Sequence, residues 1–380
     1  MANFINHTAF PALKFKTLDQ NDCGFDIIVA RVTYDVKIIK KQEKITLTQS
    51  KKQASLIYSD IHYNDPVRSS VEYESDLAPY KPKTDVIINA TAFAPRGKAS
   101  SCFDVAVKVG GKSKKLRIYG PRFWRLTPLG WVLEHPHAVD KLDVLYEYSS
   151  GGWYEVDNKT IASPSNHLGM GWYPDKYLKH CSEIRLPAPQ IESTDTPIKS
   201  IDEIVTPEGF GFFGKSWRGR IEHAGTYDSA WVEKRHPYLP KDFDFRYWCG
   251  AHPALQIAHP QPYDDIPVEL CGLIPADERF DQHVSFHIPV ETLFVLVKTE
   301  SGLGVTKDML LDTIVIDMRA RKVFCTYRIA LTEELNTSEF QLRYIAAADR
   351  KSQRELAEKI NGDASSSTFI PLPPGLIRKR

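Results

Sequence analysis

The chain has 380 residues, with 49 basic and 48 acidic side chains and a formal net charge of +1. That balance gives no electrostatic drive toward nucleic acid or an anionic membrane, so neither is expected as a partner. A composition 42% hydrophobic and 26% charged excludes wholesale disorder and allows two or three packed units around a large core.

The first residues, Met1 to Phe10, lack a basic segment followed by an apolar core, so no secretory signal is expected, and no run approaches the ~20 apolar residues of a membrane helix. A cytoplasmic location follows as the expectation. From Ile28 the chain alternates: Ile28, Ala30, Val32, Tyr34, Val36 and Ile38 face one way, and Arg31, Thr33, Asp35 and Lys37 the other. Val86 to Phe93 reads as a further strand. Phe103, Val105, Val107 and Val109 repeat the alternation, and Gly110-Gly111 suits a tight hairpin into Lys115 to Tyr119. Residues 1–119 therefore read as an N-terminal β domain. A middle segment, 120–205, is rich in Pro, Gly and Trp, with alternation at Leu142, Val144, Tyr146 and Tyr148 and a connector from Leu186 to Pro197. Residues 206–362 bring back strands at Val284, Phe286, Ile288 and Val290 and at Val323, Cys325, Tyr327, Ile329 and Leu331. A helix is predicted from Asp349 to Ile360, stopped by Gly362. Residues 363–380 form a Ser-rich linker with an apolar, Pro-rich tip. The fold class expected is mainly β, with antiparallel sandwich or barrel-like units, few helices and the C-terminal helix.

Gly209-Phe-Gly-Phe-Phe-Gly-Lys-Ser216 matches the pattern of a phosphate-cradling P-loop. Such a loop needs an apolar strand before it and a helix after it, with Lys215 on the phosphates and Ser216 on magnesium. Here Pro207 sits where the strand should end, and two glycines fall within nine residues after Ser216, where the helix should run. Three phenylalanines line the would-be cradle. The sequence favours a Gly-rich loop with buried aromatics, and no cofactor is expected.

Tyr73-Glu-Ser-Asp-Leu-Ala-Pro-Tyr-Lys-Pro-Lys-Thr-Asp85 packs Glu74, Asp76, Lys81, Lys83 and Asp85 into thirteen residues that Pro79 and Pro82 hold extended. Carboxylates this dense can do acid–base work where their environments push their pKa values apart; they can equally satisfy backbone groups and lysines. His283 and His287 share a strand face without a third ligand at recognisable spacing, and His135 and His137 merely flank Pro136, so no metal site is expected. The six cysteines, Cys23, Cys102, Cys181, Cys249, Cys271 and Cys325, form no Cys-x-x-Cys pair. They read as small apolar residues of a reducing compartment.

The same Tyr73 to Asp85 run, continuing from Val86 to Pro95, resembles the signature of a bacterial family of unknown function associated with type VI secretion. The resemblance extends through Gly120-Pro-Arg-Phe-Trp124, Tyr146-Glu-Tyr-Ser-Ser-Gly-Gly152, Asn166-His-Leu-Gly-Met-Gly-Trp172 and Leu186-Pro-Ala-Pro189. It is strongest at Pro207-Glu-Gly-Phe-Gly211, Trp217, Arg220, Ala224-Gly-Thr-Tyr-Asp228, Trp231, Leu239 to Asp244 and Tyr247. It covers about residues 4–345. Tyr148-Ser-Ser150 departs from the family's usual Arg-Ala-Phe, and the tail after Gly362 has no counterpart.

The resemblance implies a non-enzymatic adaptor or chaperone that holds a protein effector and helps load it onto the VgrG spike or its PAAR tip. It carries over no catalytic residue, and its motif residues, from Tyr73 to Asp85 and at Gly209, Gly211, Trp217, Arg220, Gly225, Thr226, Tyr227, Asp228 and Trp231, read as structural. Two other classes stay open: a β-sandwich enzyme acting on polysaccharide through Glu74, Asp76 or Asp85, and a nucleotide enzyme using Gly209 to Ser216. Phe369, Ile370, Leu372 and Leu376, held extended by Pro371, Pro373 and Pro374, form a candidate auxiliary partner contact.

Overall fold

The computed structural model describes residues 2–39, 44–261, 265–275, 283–300, 304–332 and 337–345. The helix expected over Asp349 to Ile360 and the tail beyond it lie outside these residues. The architecture is mainly β, and the described residues hold three short α-helices, Asp175–His180, Arg218–Ile221 and Ser229–Lys234.

The longest strand, Gly24–Ile39, is the spine of a seven-stranded sheet. It pairs antiparallel with Ala12–Leu18 and Lys44–Gln49 along one edge and with Lys322–Thr332 along the other. Lys322–Thr332 pairs in turn with Leu310–Asp317, which runs parallel to Thr84–Asn89; Gln256–Ile257 closes the far edge. Strands from the first and last thirds of the sequence thus alternate in one sheet. The parallel neighbour of Thr84–Asn89, Leu310–Asp317, comes from more than two hundred residues later, and the 1–119 and 206–362 segments share this sheet.

The alternation in Gly24–Ile39 suggests one dry face and one wet face. The structure differs: every residue from Phe25 to Tyr34 is buried, Arg31 and Thr33 included, and Thr326 and Arg328 are buried on the neighbouring strand. The second face is covered by the chain that carries Glu74 to Lys81, whose acids meet those cations. Charged residues at alternate positions are here the inner layer of an ion network.

A five-stranded antiparallel sheet is ordered Ile191–Ser193, Lys112–Tyr119, Cys102–Val109, Ile266–Cys271 and His283–Ile288. In Cys102–Val109 and His283–Ile288 the buried side chains alternate with more exposed ones. Val109 faces Lys112 across Gly110 and Gly111, both at positive φ (54° and 84°), the backbone a two-residue hairpin of matching twist requires. A four-stranded sheet combines Asn3–Asn6, Thr337–Ile345, Thr292–Thr299 and Gly304–Asp308. One apolar core runs through all three sheets, including Ile28, Val86 and Ile314 from the first, Val105 and Leu116 from the second, and Val295 and Phe340 from the third.

The middle segment builds a smaller core of its own around Trp124, Tyr173, Leu186 and Ile201, beneath the sheet of Phe123–Thr127, Gly130–Leu133 and Arg185–Pro187. The strand expected over Leu142 to Tyr148 is cut short. Lys141–Asp143 pairs with Thr91–Phe93, and Tyr146–Tyr148 turns as a 3-10 helix. The cause is the Tyr146 ring, which leaves the alternation to pack on Phe213 and Trp217 at 5.4 and 5.0 Å.

Candidate functional site

The run Tyr73 to Asp85 is woven into the interior. Asp76 accepts hydrogen bonds from Arg31 Nη1 (3.1 Å), Thr326 Oγ1 (3.0 Å) and the Ile57 backbone N–H (2.8 Å). Arg328 donates to the Asp76 and Ala78 carbonyls and pairs with Asp312. Lys81, nearly inaccessible, donates to Asp85 (2.7 Å) and Thr313 Oγ1 (2.9 Å). Asp85 also accepts from the N–H groups of Gly250 and Ala251 at 2.8 and 3.1 Å. Glu74 pairs with Arg220, whose other donors reach the carbonyls of Phe213 and Tyr247 (both 2.9 Å). Tyr73 donates to Asp317. Pro79 is buried and Pro82 half-buried, and they flank Lys81 within the run.

The electrostatics follow from this pairing. Burial works against the Lys81 charge, but Asp85, with Asp312 and Glu74 behind it, outweighs burial and holds the Lys81 pKa above the ordinary lysine value. Burial likewise opposes the Arg220 charge and Glu74 restores it, while burial followed by the Asp317 contact raises Tyr73 well above a free phenol. The space among Arg31, Glu74, Asp76, Lys81, Thr326 and Arg328 is about 10 Å³, room for about one water and no substrate. These acids have partners on several sides and no approach for a glycoside.

The Gly-rich loop does different work from a cradle. Phe210, Phe212 and Phe213 are buried, and the Phe210 carbonyl accepts the Ile88 N–H. A Cβ at Gly209 would stand 2.7 Å from the Tyr146 ring, and Gly211 lies against the opposite ring edge. Gly209 therefore lacks a side chain because the edge of the Tyr146 ring occupies the space, whereas at Gly211 a Cβ would meet the ring at an ordinary 3.6 Å. Trp217 closes that cluster at 2% exposure. Lys215 forms an ion pair with Asp60 (2.6 Å), no strand precedes the loop, and the helix after it is only Arg218–Ile221.

Beyond that helix the chain forms a knob on the surface. Gly225 has φ +80° and a Cβ there would meet Pro240 at 2.8 Å. Thr226 donates its N–H and hydroxyl to Asp242 (3.0 and 2.7 Å), which holds the Asp242 pKa below the ordinary carboxylate value. Asp228 caps Ser229–Lys234 by accepting the Trp231 N–H at 2.8 Å. Trp231 is half-buried, packs edge-on against Tyr227 (4.6 Å) and donates its indole N–H to the Tyr238 carbonyl (2.9 Å). The knob is tied to the body by Arg235, which reaches Asp22 (2.7 Å) and the Gln20 carbonyl (2.9 Å). What this framework presents to solvent is Tyr227, Val232 and Tyr238, at 51%, 61% and 47% exposure.

Sequence reasoning missed a cleft of about 470 Å³. Its lining comes from four separated stretches, with Ser149 and Ser150, Ile191 to Ser193, Val205, Thr206 and Glu208, and His252 and Pro253 among its residues. Glu208 pairs with buried Lys114, and Glu192 with buried Arg122. His252 accepts the Ala254 N–H on Nδ1 (3.1 Å), and burial, reinforced by Lys114, depresses its pKa to about 3. No local motif joins residues this far apart in sequence.

Among the remaining candidates, His283, His287, His135 and His137 are exposed, and the described residues contain no group of three ligands able to hold a metal. Cys249 and Cys325 are buried, whereas Cys23 and Cys102 are exposed. No helix of the described residues is long and apolar enough to cross a membrane. Phe369, Ile370, Leu372 and Leu376 lie outside the described residues.

Residues 25–328 match the bacterial family described as "Uncharacterized protein conserved in bacteria (DUF2169)". The match spans most of the chain, and the protein belongs to that family. No curated protein and no solved structure matches it.

Proposed function

We propose that this protein is a non-enzymatic adaptor or chaperone that binds a type VI secretion effector in the cytoplasm and helps load it onto the VgrG/PAAR spike. The observation that carries the reading is a division of labour within the resembling motifs. The acids of Tyr73 to Asp85 are consumed by buried ion pairs and backbone N–H groups, whereas Gly225 to Trp231 spends its hydrogen bonds on holding aromatic side chains at the surface. Trp, Tyr and Arg dominate the contacts that matter most in protein interfaces, and preorganised aromatics lose little entropy on binding. Tyr227, Val232 and Tyr238 are presented in this way, with Trp231 and Arg235 beneath them.

The polysaccharide reading is disfavoured because Glu74, Asp76 and Asp85 have neither an open approach nor a free carboxylate face. The nucleotide reading is disfavoured by Tyr146 on Gly209 and by the Asp60 partner of Lys215. Affinity purification of the tagged protein from its own cells tests the adaptor role. Effector or spike components should be recovered with the wild type and lost with Tyr227→Ala/Val232→Asp/Tyr238→Ala at unchanged melting temperature. Recovery of no secretion component with the wild type would overturn the reading.

A further inference from the structure

Gly130–Leu133 is the outermost strand of the small sheet of the middle segment, paired on one side only, with Phe123–Thr127. Its register sets Trp124 opposite Leu133 and Thr127 opposite Gly130, and the Glu134 N–H donates to the Phe123 carbonyl at 2.8 Å. In an antiparallel ladder, opposed pairs that exchange hydrogen bonds alternate with pairs that do not. Glu134, Val132 and Gly130 therefore bond inward. Leu126, opposite Trp131, fits the same phase by donating its N–H to the Ile184 carbonyl on its other side (2.8 Å). The N–H and C=O groups of Trp131 and Leu133 thus point to the open side, and none of them has a hydrogen-bond partner among the described residues.

A free strand edge is a template for another strand, and folded proteins blunt it with charges or proline. Ala12–Leu18 carries Lys14 and Lys16, Gly304–Asp308 carries Lys307 and Asp308, and the opposite edge of this same small sheet carries Arg185 and Pro187. Gly-Trp-Val-Leu has neither device. Its outward side chain, Val132, is 40% exposed, and Leu129 at the hairpin tip is 97% exposed. Trp131 and Leu133 pack inward on the core around Trp124, which holds the edge in one register.

We propose that this edge is a two-fold contact between two copies of the chain, with Gly130–Leu133 pairing antiparallel with itself about Val132. The inference is independent of the adaptor reading and uses none of the knob residues. Self-pairing fits because the free groups lie symmetrically about Val132. Centred there, Trp131 of each copy exchanges both hydrogen bonds with Leu133 of the other, and every free N–H finds a free C=O. The two Val132 side chains become a directly opposed β-branched pair, which covers the exposed apolar surface. Charge agrees with the register: Glu134, the nearest charged residue, falls opposite Gly130 of the second copy, so no like charges meet across the seam.

The test uses the purified full chain. Analytical ultracentrifugation from about 1 to about 300 μM should show monomer passing to dimer, with a Kd on the order of 10 μM for a seam this short. Val132→Lys sets two ammonium groups face to face on the axis and should weaken the dimer about tenfold or more, at unchanged melting temperature because the position is exposed. Val132→Cys should form a disulfide between two copies on mild oxidation, since Cα atoms of a directly opposed pair of this kind lie about 4.5 Å apart, within disulfide reach. Peptide mapping separates that bond from any at the exposed Cys23 or Cys102, and Leu129→Cys, more exposed but off the axis, measures chance collision. If Val132→Lys lowers the melting temperature, the crosslink decides. A single species at every concentration would leave the edge to a different chain and overturn the proposal. So would a dimer indifferent to Val132→Lys, or a Val132→Cys yield no higher than that of Leu129→Cys.

Discussion

Replacing Asp76 by Asn removes one charge and leaves the shape almost unaltered. In the native protein the carboxylate faces Arg31, Thr326 and the Ile57 N–H, with its side chain only 7% exposed and that of Arg31 4% exposed. Asn keeps one acceptor oxygen, so one or two of these contacts survive. The Arg31 charge, however, loses its counter-ion in a place where water cannot replace it, and its Nε already lacks a partner. Breaking a buried pair from one side typically costs about 3–5 kcal/mol, and the surviving acceptor brings the expectation to about 3 kcal/mol. At about 2 °C per kcal/mol for a chain of this size, differential scanning calorimetry should show Tm falling by roughly 6 °C. Arg31→Met alone leaves Asp76 its two other donors and should cost less. The double variant should be more stable than the sum of the singles by about 1 kcal/mol or more. A Tm for Asp76→Asn within about 1 °C of wild type, or strict additivity, would refute the claim that this acid is a structural member of the core.

Lys215→Ala should change stability by no more than about 1 kcal/mol, because the pair with Asp60 is partly exposed, and calorimetry should find no ATP binding in either form. Micromolar binding lost on substitution would restore the nucleotide reading. Gly225→Ala should cost about 1–3 kcal/mol through strain at φ +80° and contact with Pro240; denaturant melts check this, and an unchanged midpoint would show that the turn is not required. The His252 ring is neutral in the fold with a pKa of about 3, so the unfolded chain takes up the proton first. The stability from this group is complete above the unfolded value of about 6.5 and falls by about 1.4 kcal/mol per pH unit as acid carries the solution down toward the folded value. His167 shifts the same way, so the readout is the difference from His252→Gln, which should flatten the decline between pH values of about 6.5 and 5.

Much of the fold was legible where one face of a strand meets water. Cys102–Val109 and His283–Ile288 announce themselves by period two, and Gly110-Gly111 by the backbone that only glycine adopts at ease. The same rule misled at Arg31, Thr33 and Arg328, because alternation reports chemistry and not exposure. A charged face reads as wet until its partners are known, and Asp76 and Asp312 stand far from these cations in sequence. The helix–loop distinction at Gly209 to Ser216 was legible because its test is local: Pro207 and the following glycines suffice. The Tyr146 ring that explains Gly209 was not, since it arrives from sixty residues away.

The candidate surfaces divide along the same line. The sequence marked Gly225, Thr226, Asp228 and Trp231 as structural motif residues, and the cap and ring contact among Tyr227, Asp228 and Trp231 are local, but the Thr226–Asp242 bond that closes the knob spans sixteen residues. Which of the knob's side chains point outward could not be read from sequence, because Val232 and Tyr238 carry no motif of their own. The cleft lacked even a local signal, since Ser150, Glu208 and His252 are brought together by three different elements. A motif resemblance therefore points toward the parts of this protein that must be built identically, such as the buried pairs of Glu74, Asp76 and Asp85. On the proposed adaptor reading, partner choice would fall to residues that such packing does not constrain. Exchanging Tyr227, Val232 and Tyr238 between two members of this family should accordingly exchange the effector recovered on purification without moving the melting temperature of either. Retention of the original effector by both swapped proteins would move the recognition surface elsewhere.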